Sequence, residues 1–151
     1  MSQSLSKVVI HIIFSTKNRF AFLNERGRQK QMHAYLARVF NEWDSPAIEV
    51  GGTYDHVHIL CLLSRNYAIK EIVKKAKANS SSWAKTMGGR CLKFSWQSGY
   101  GVFSIDHSQI ESVKKYIKNQ VEHHRRKTFQ EEYLEILHRY HMPYNERYLW
   151  E

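Results

Sequence analysis

The chain has 151 residues, is 42% hydrophobic and 25% charged, and carries 23 Lys and Arg against 14 Asp and Glu. This length suits one domain, expected to span residues 1–151, and the apolar fraction is sufficient for a folded core. Its two cysteines form no CxxC pair and no apolar run reaches the roughly 18 residues of a membrane span, which excludes a disulfide scaffold, a zinc ribbon and a membrane protein. We expect a soluble, cytoplasmic protein whose net charge of +9 favours a polyanionic partner.

Apolar periodicity predicts alternating strands and helices along the chain. Runs rich in β-branched and aromatic residues predict strands over 7–14, 47–50, 56–63, 92–96 and 100–105. Apolar residues spaced three and four apart predict helices over 25–43, 67–86, 109–126 and 128–140. The order matches the β-α-β-β-α-β plan, so we predict an α+β, ferredoxin-like sheet with appended C-terminal helices. Its first and third strands should be central, and its two helices should cover one face and leave the other available for a partner or ligand.

His56 and His58 begin the third predicted strand. Side chains alternate along a strand, so both imidazoles project from one face and could share a metal ion. The alternative is a pair of hydrogen-bonded histidines at the rim of the sheet. Tyr116 and Gln120 lie four residues apart on one flank of the helix over 109–126, so they are neighbours one turn from each other.

Two imidazoles and an amide oxygen could form an open site for a divalent cation. The oxygen ligand favours Mg²⁺ or Mn²⁺, whereas imidazole favours Mn²⁺ or Zn²⁺. The cation could polarise a phosphodiester, which Tyr116 could then attack covalently. Asp55 could support the histidines from behind or could be a turn residue.

Three segments resemble those of a known family: YDHVHIL at 54–60, WQSGYGVFS at 96–104 and YIKNQ at 116–120. Together they resemble the HUH single-tyrosine transposases of small bacterial insertion sequences, whose relatives include the REP-associated tyrosine transposases. The resemblance implies that His56, His58 and Gln120 bind Mg²⁺ or Mn²⁺ and that Tyr116 is the nucleophile. It also implies a homodimer that cleaves and rejoins single-stranded DNA, often beside a hairpin, through a 5′-phosphotyrosine intermediate.

Further basic residues and histidines are candidates for contact with DNA, although each could also be ordinary solvated surface. These candidates are His11, Lys17, Arg19, Lys70, Lys74, His123, Arg125, Arg126 and Lys127. His11, on the first strand, could instead support the metal site or be a satisfied core histidine. We expect a dimer because Leu60 and Leu62 share the face of the two histidines and a single subunit would leave them exposed. In such a dimer each helix carrying Tyr116 could cross to the partner's histidines.

Two other functions fit parts of the sequence. Gly99-Tyr100-Gly101-Val102-Phe103 is similar to the aromatic strand of a non-catalytic RNA-binding RRM domain, although it occurs late in the strand order. A replication or transfer nickase of the HUH class would use the same chemistry. The chain is short for such an enzyme, which favours a transposase acting at insertion-sequence or repeat ends.

Overall fold

The computed structural model describes residues 2–151. Its strands are β1 Val9–Ser15, β2 Ala47–Gly52, β3 His56–Leu62 and β4 Gly101–Ile105. Its α-helices are α1 Arg26–Glu42, α2 Ile69–Lys85, α3 Ile110–Lys118, α4 Gln120–His123, α5 Phe129–Arg139 and α6 Glu146–Leu149. Short 3₁₀ segments occupy Lys17–Arg19, Gly89–Lys93 and His107–Gln109. Within residues 2–151, no helix is both long and apolar enough to cross a membrane.

The four strands form one antiparallel sheet in the order β2-β3-β1-β4. This confirms the predicted α+β, ferredoxin-like arrangement, with β1 and β3 at the centre. In the β1–β3 register, Ser15 lies opposite His56 and Ile13 lies opposite His58. The two histidines are therefore held in a strand that is hydrogen-bonded on both sides.

Helices α1 and α2 cover one face of this sheet, as predicted. Their buried apolar stripes pack on side chains that alternate along the central strands, among them Ile12, Val57 and Ile59. The β-branched residues of β1 and β3 suit this pleated, tightly packed surface. The largest hydrophobic cluster of the described residues lies in this layer.

The opposite face is not open, contrary to the prediction. Leu60 is fully buried and packs with Val9 and with Ile117 of α3, while Leu62 is partly buried in the same cluster. The sequence pattern placed these leucines on the right face, but it could not show that the appended helices of the same chain fold back over them. The apolar surface used to predict a dimer is therefore already covered within one subunit.

Gly51 of β2 allows α3 to lie directly on the sheet. A Cβ atom at this position would come within 2.6 Å of the backbone oxygen of Ile117, closer than real Cβ contacts allow. The absence of a side chain thus allows α3 to pack closely on β2 at Ile117, one residue before the helix ends at Lys118.

Two predicted elements differ in the structure. Residues 92–96 form no strand: a 3₁₀ segment spans Gly89–Lys93, and only Trp96 makes an isolated bridge, to Thr16. The apolar pattern there arises because the segment packs its aromatic side chains into the core, where the indole of Trp96 donates to the hydroxyl of Ser80 at 2.9 Å.

The predicted helix over 109–126 is divided. Asn119, with φ −96° and ψ 18°, separates α3 from the four-residue α4. This bend falls between Tyr116 and Gln120 and alters how the two side chains approach each other.

Candidate active site and metal centre

His56 and His58 lie on the face of β3 opposite the main core, and both are fully buried. Val57 between them points into the apolar layer beneath α1 and α2. The His-Val-His alternation therefore brings the two imidazoles together, with ring centroids 5.2 Å apart. The sequence predicted this arrangement from strand geometry alone.

Gln120 approaches the histidines from above, at the start of α4. Its side-chain oxygen lies 2.8 Å from Nε2 of His56, and the residue is 1% exposed. Both residues belong to the same chain, so one subunit brings the amide and the imidazoles together.

Glu132 of α5 lies at the centre of the site, although it is not among the site residues predicted from the sequence. Its Oε1 lies 3.0 Å from Nε2 of His58 and 3.6 Å from Nε2 of His56. Its Oε2 accepts a hydrogen bond from the amide nitrogen of Gln120 at 2.9 Å and another from the hydroxyl of Tyr116. Four residues singled out from the sequence thus converge on one carboxylate that is only 1% exposed.

Two further imidazoles face the same carboxylate from the segment after α3. Nε2 of His124 lies 3.1 Å from Oε1 of Glu132, and Nε2 of His123 lies 3.3 Å from Oε2. Burial alone would raise the pKa of Glu132, but the adjacent imidazoles of His124 and His58 outweigh it and lower that pKa far below the usual range. Glu132 is therefore a buried anion held by imidazoles.

The far sides of the two β3 imidazoles are also fixed. Nδ1 of His56 lies 2.8 Å from Oδ1 of Asp55 and 3.1 Å from the hydroxyl of Thr53. Nδ1 of His58 lies 2.8 Å from Nε2 of His11. Such partners set which ring nitrogen faces a metal ion.

His11 is therefore placed behind His58. It is 6% exposed, and burial together with the neighbouring His58 lowers its pKa to about 3. Burial likewise lowers the pKa of His58. Both rings are thus held neutral, the form in which an imidazole binds a metal.

The surroundings of His56 provide a test of whether a cation fits. Its Nδ1 faces the carboxylate of Asp55, while its Nε2 faces oxygens of both Gln120 and Glu132. A neutral imidazole has one N–H and cannot donate on both sides. A cation between Nε2 and the two oxygens would satisfy this arrangement, and imidazole, amide and carboxylate groups are suitable ligands for Mg²⁺ or Mn²⁺.

Tyr116 lies at the boundary between this buried cluster and solvent. Burial and the negative charge of Glu132 raise the pKa of its hydroxyl, which keeps the phenol protonated in this arrangement. The residue lines an open cleft of about 860 Å³ together with Arg125, Arg126 and Lys127. The hydroxyl is thus close to the candidate metal site and near positive charge.

The remaining candidates for DNA contact lie in three places. Arg19 lines a second cleft, of about 440 Å³, together with Arg125, Arg126 and Lys127, on the side where His124 lies. Lys17 lines a separate groove. Lys70 and Lys74 lie on α2, across the sheet from the histidines, and the fold does not bring them to the site.

A signal for Glu132 was present in the sequence. Phe129, Glu132, Tyr133 and Ile136 have the spacing of one buried helical stripe, and all four are buried. A carboxylate at a core position is rare unless it is paired, so this position marked a candidate site. Its partners could not be identified without the path of α5 across the sheet.

Comparison with known proteins establishes the class. The family model for IS200-like transposases matches residues 4–120, and the chain belongs to this family. The match includes His56, His58, Tyr116 and Gln120 and ends before α5. A search of curated proteins found no match.

Two solved structures share the fold. A candidate transposase from Deinococcus radiodurans R1 has 20% sequence identity and a TM-score of 0.61, covering 80% of this chain and 98% of its own. A REP-associated tyrosine transposase bound to a REP hairpin has 16% identity and a TM-score of 0.58, covering 82% of this chain and 74% of its own. The family resemblance found in the sequence is thereby confirmed, while the roles of individual residues stay predictions.

Proposed function

We propose that this transposase cleaves and rejoins single-stranded DNA at insertion-sequence or repeat ends through a covalent 5′-phosphotyrosine at Tyr116. One observation carries the proposal: Tyr116 and Gln120 meet the same carboxylate as His56 and His58, beside a cleft lined with cations. The family match supports the transposase class, and this convergence supports the chemistry.

His56, His58 and Gln120 would hold Mg²⁺ or Mn²⁺. When bound, the cation supplies Lewis-acid polarisation of a phosphodiester oxygen. The protein's own residues prepare the site: Asp55 orients His56, and His11 orients His58. Burial of the two imidazoles excludes water from their metal-facing nitrogens.

Tyr116 would supply the attacking oxygen. Its Oη loses its proton to solvent and forms a bond to phosphorus while the bond from phosphorus to the 3′ oxygen breaks. The departing oxygen takes up a proton from solvent, which leaves a free 3′-hydroxyl and a 5′-phosphotyrosine. Another 3′-hydroxyl can then attack the phosphotyrosine and restore both the DNA bond and the phenol. Before the first step, the hydroxyl must exchange its hydrogen bond to Glu132 for the approach to phosphorus.

Arg125, Arg126 and Lys127 would bind the phosphates on either side of the scissile bond, since they line both clefts next to the site. Surface ion pairs do not prevent this role. Arg125 is paired with Glu122 at 3.1 Å, and exposed ion pairs of this kind contribute little to stability, so phosphate can replace the carboxylate. A hairpin end is a suitable substrate class, because one solved relative is bound to a REP hairpin.

The RRM alternative is not favoured. In the segment that resembles the RRM strand, Tyr100 is exposed, but Phe103 is 4% exposed and packs in a cluster with Ile13 and Tyr133. A ring buried beneath α5 is not available as a stacking platform. The homodimer stays a prediction, and we expect the protein to act in the cytoplasm on nucleoid DNA.

The proposal is tested with single-stranded oligonucleotides, with and without a hairpin, in the presence of Mg²⁺ or Mn²⁺. A denaturing gel should show a shorter DNA product and a protein band whose mass is increased by covalently attached DNA. Excess chelator should abolish both. Cleavage that persists undiminished in chelator would rule out the metal role, and cleavage without any adduct would rule out the tyrosine intermediate.

A further inference from the structure

Glu132 makes more contacts with the site than a structural acceptor needs. Its two oxygens lie within 3.6 Å of groups on His56, His58, Gln120, His123 and His124, and one also accepts from Tyr116. We propose that Glu132 is a ligand of the same divalent cation as His56, His58 and Gln120. This deepens the proposed function and rests on its metal site.

The spacing of the candidate ligand atoms supports coordination. Ligands about 2.1 Å from one ion are about 3.0 Å apart at a right angle and about 3.4 Å apart at a tetrahedral angle. Oε1 of Glu132 lies 3.0 Å from Nε2 of His58 and 3.6 Å from Nε2 of His56. The oxygen of Gln120 lies 2.8 Å from Nε2 of His56. Three edges among these four ligand atoms thus have lengths close to those of a coordination shell.

Charge leads to the same assignment. Two imidazoles and an amide are neutral ligands and would leave the full double charge of the cation in a buried site. A buried charge is tolerated when it is paired or coordinates a metal. Glu132, at 1% exposure, supplies the compensating negative charge, and carboxylate oxygen is a preferred ligand of Mg²⁺ and Mn²⁺.

Coordination by Glu132 would also connect the cation to Tyr116 through a single carboxylate. Oε1 is the oxygen nearest the imidazoles of β3, while Oε2 faces Gln120 and the hydroxyl of Tyr116. With Oε1 on the ion, Oε2 remains available to hold the hydroxyl at a fixed distance from the metal site. The ion would at the same time attach α5 to β3 and α4.

The first test measures Mn²⁺ binding to the full chain by calorimetry, without DNA. Glu132→Gln should weaken Mn²⁺ affinity by at least the roughly 10–100-fold that loss of an outer-shell partner causes. The matched control is Glu135→Gln, which removes the same charge from an exposed position on the same helix, so its affinity should stay within about twofold of the wild type. The d–d absorption spectrum of bound Co²⁺ should change in the Glu132 variant and not in the control.

A second measurement uses the wild-type chain and remains valid if the Glu132 variant does not fold. Amide hydrogen exchange is recorded with and without Mg²⁺. If Glu132 is a ligand, Mg²⁺ should slow exchange in α5 as well as in α4. Protection confined to α4 would overturn the proposal.

The outcomes separate this inference from the proposed function. Unchanged Mn²⁺ affinity and an unchanged Co²⁺ spectrum in Glu132→Gln would overturn it and leave Glu132 a structural acceptor. Tighter Mn²⁺ binding by Glu132→Gln would also overturn it, because the carboxylate would then compete with the ion for the imidazoles. If Glu132→Gln binds Mn²⁺ more weakly but the wild type cuts no DNA, the ligand role is supported and the nuclease is refuted. Failure of the wild type to bind Mn²⁺ would refute both.

Discussion

The two faces of β3 are built on different physical principles, although their residues alternate along one seven-residue strand. Val57 and Ile59 point into an apolar layer beneath α1 and α2, where contacts are numerous and none is directional. His56 and His58 point into a polar layer beneath α4 and α5, where each ring nitrogen has a specific partner. All four of these β3 side chains are fully buried.

The difference shows how a small sheet can separate stability from chemistry. On the apolar face, the free energy of unfolding depends on volume and area, so similar hydrophobic residues can replace one another at modest cost. On the polar face, a residue that loses its partner leaves a buried donor or acceptor unsatisfied. Substitution of two neighbouring residues on β3 should therefore affect different properties: stability on the apolar face, and metal binding and cleavage on the polar face.

The largest expected effect is that of Tyr116→Phe, which removes a single oxygen from the polar face. Cleavage and the covalent adduct should fall to background, because the proposed nucleophile is removed. The free energy of unfolding should fall by only about 1.5–3 kcal/mol, the usual scale for one hydrogen bond to a charged group. Gel analysis of the adduct and thermal denaturation measure the two quantities separately, and an adduct formed at the wild-type rate would refute the assignment.

A comparison of His58→Ala with Ile59→Ala tests the division between the two faces directly. His58→Ala should abolish tight Mn²⁺ binding and cleavage, because one of the two proposed imidazole ligands is lost. Ile59→Ala should lower the free energy of unfolding by about 2–5 kcal/mol through the cavity it leaves, while Mn²⁺ affinity below the melting temperature stays near the wild-type value.

Calorimetry and denaturant unfolding provide both readouts for each variant. If Ile59→Ala weakened Mn²⁺ binding as strongly as His58→Ala, the two faces would not be independent. In that case, packing beneath α1 and α2 would control the position of the imidazoles.

Much of this arrangement could be predicted from the sequence because local periodicity determines it. The alternation of His56, Val57 and His58 assigned the faces of β3, and the spacing of Tyr116 and Gln120 placed them near each other. The order of elements gave the sheet, since few topologies accommodate it. These inferences use neighbours in sequence or the limited choice of β-α-β connections.

The rest depended on contacts between residues distant in sequence. Glu132 meets His58 across 74 positions, and no local pattern specifies the path of α5. The bend at Asn119 and the 3₁₀ segment at Gly89–Lys93 also differ from the periodic pattern, because packing against the sheet overrides local preference there. The burial of Leu60 has the same origin.

Mixing two inactive variants tests whether the polar face is complete in one subunit. The oxygen of Gln120 lies 2.8 Å from His56 of its own chain, so His56→Ala and Tyr116→Phe subunits should each keep their own defect. After subunit exchange, demonstrated with differently tagged chains, the mixture should remain inactive. Recovery of cleavage would show that helices carrying Tyr116 cross between subunits and would contradict the site described here.

The smallest expected effect concerns surface charge on the two sides of the sheet. Arg125 and Arg126 line the cleft containing Tyr116, whereas Lys70 and Lys74 lie across the sheet on α2; all four are exposed. Each phosphate neutralised on a single strand contributes about −0.7 to the slope of log affinity against log salt concentration. Replacing both arginines with alanine should therefore reduce the magnitude of the slope by about 1.4 and weaken binding at low salt.

Replacing both lysines removes the same net charge, so any general effect of charge is matched, and the slope should change much less. Fluorescence anisotropy with a labelled oligonucleotide over a series of salt concentrations measures both slopes. Equal changes in the two double variants would mean that DNA is held by the overall charge of the protein and that the polar face does not define its path.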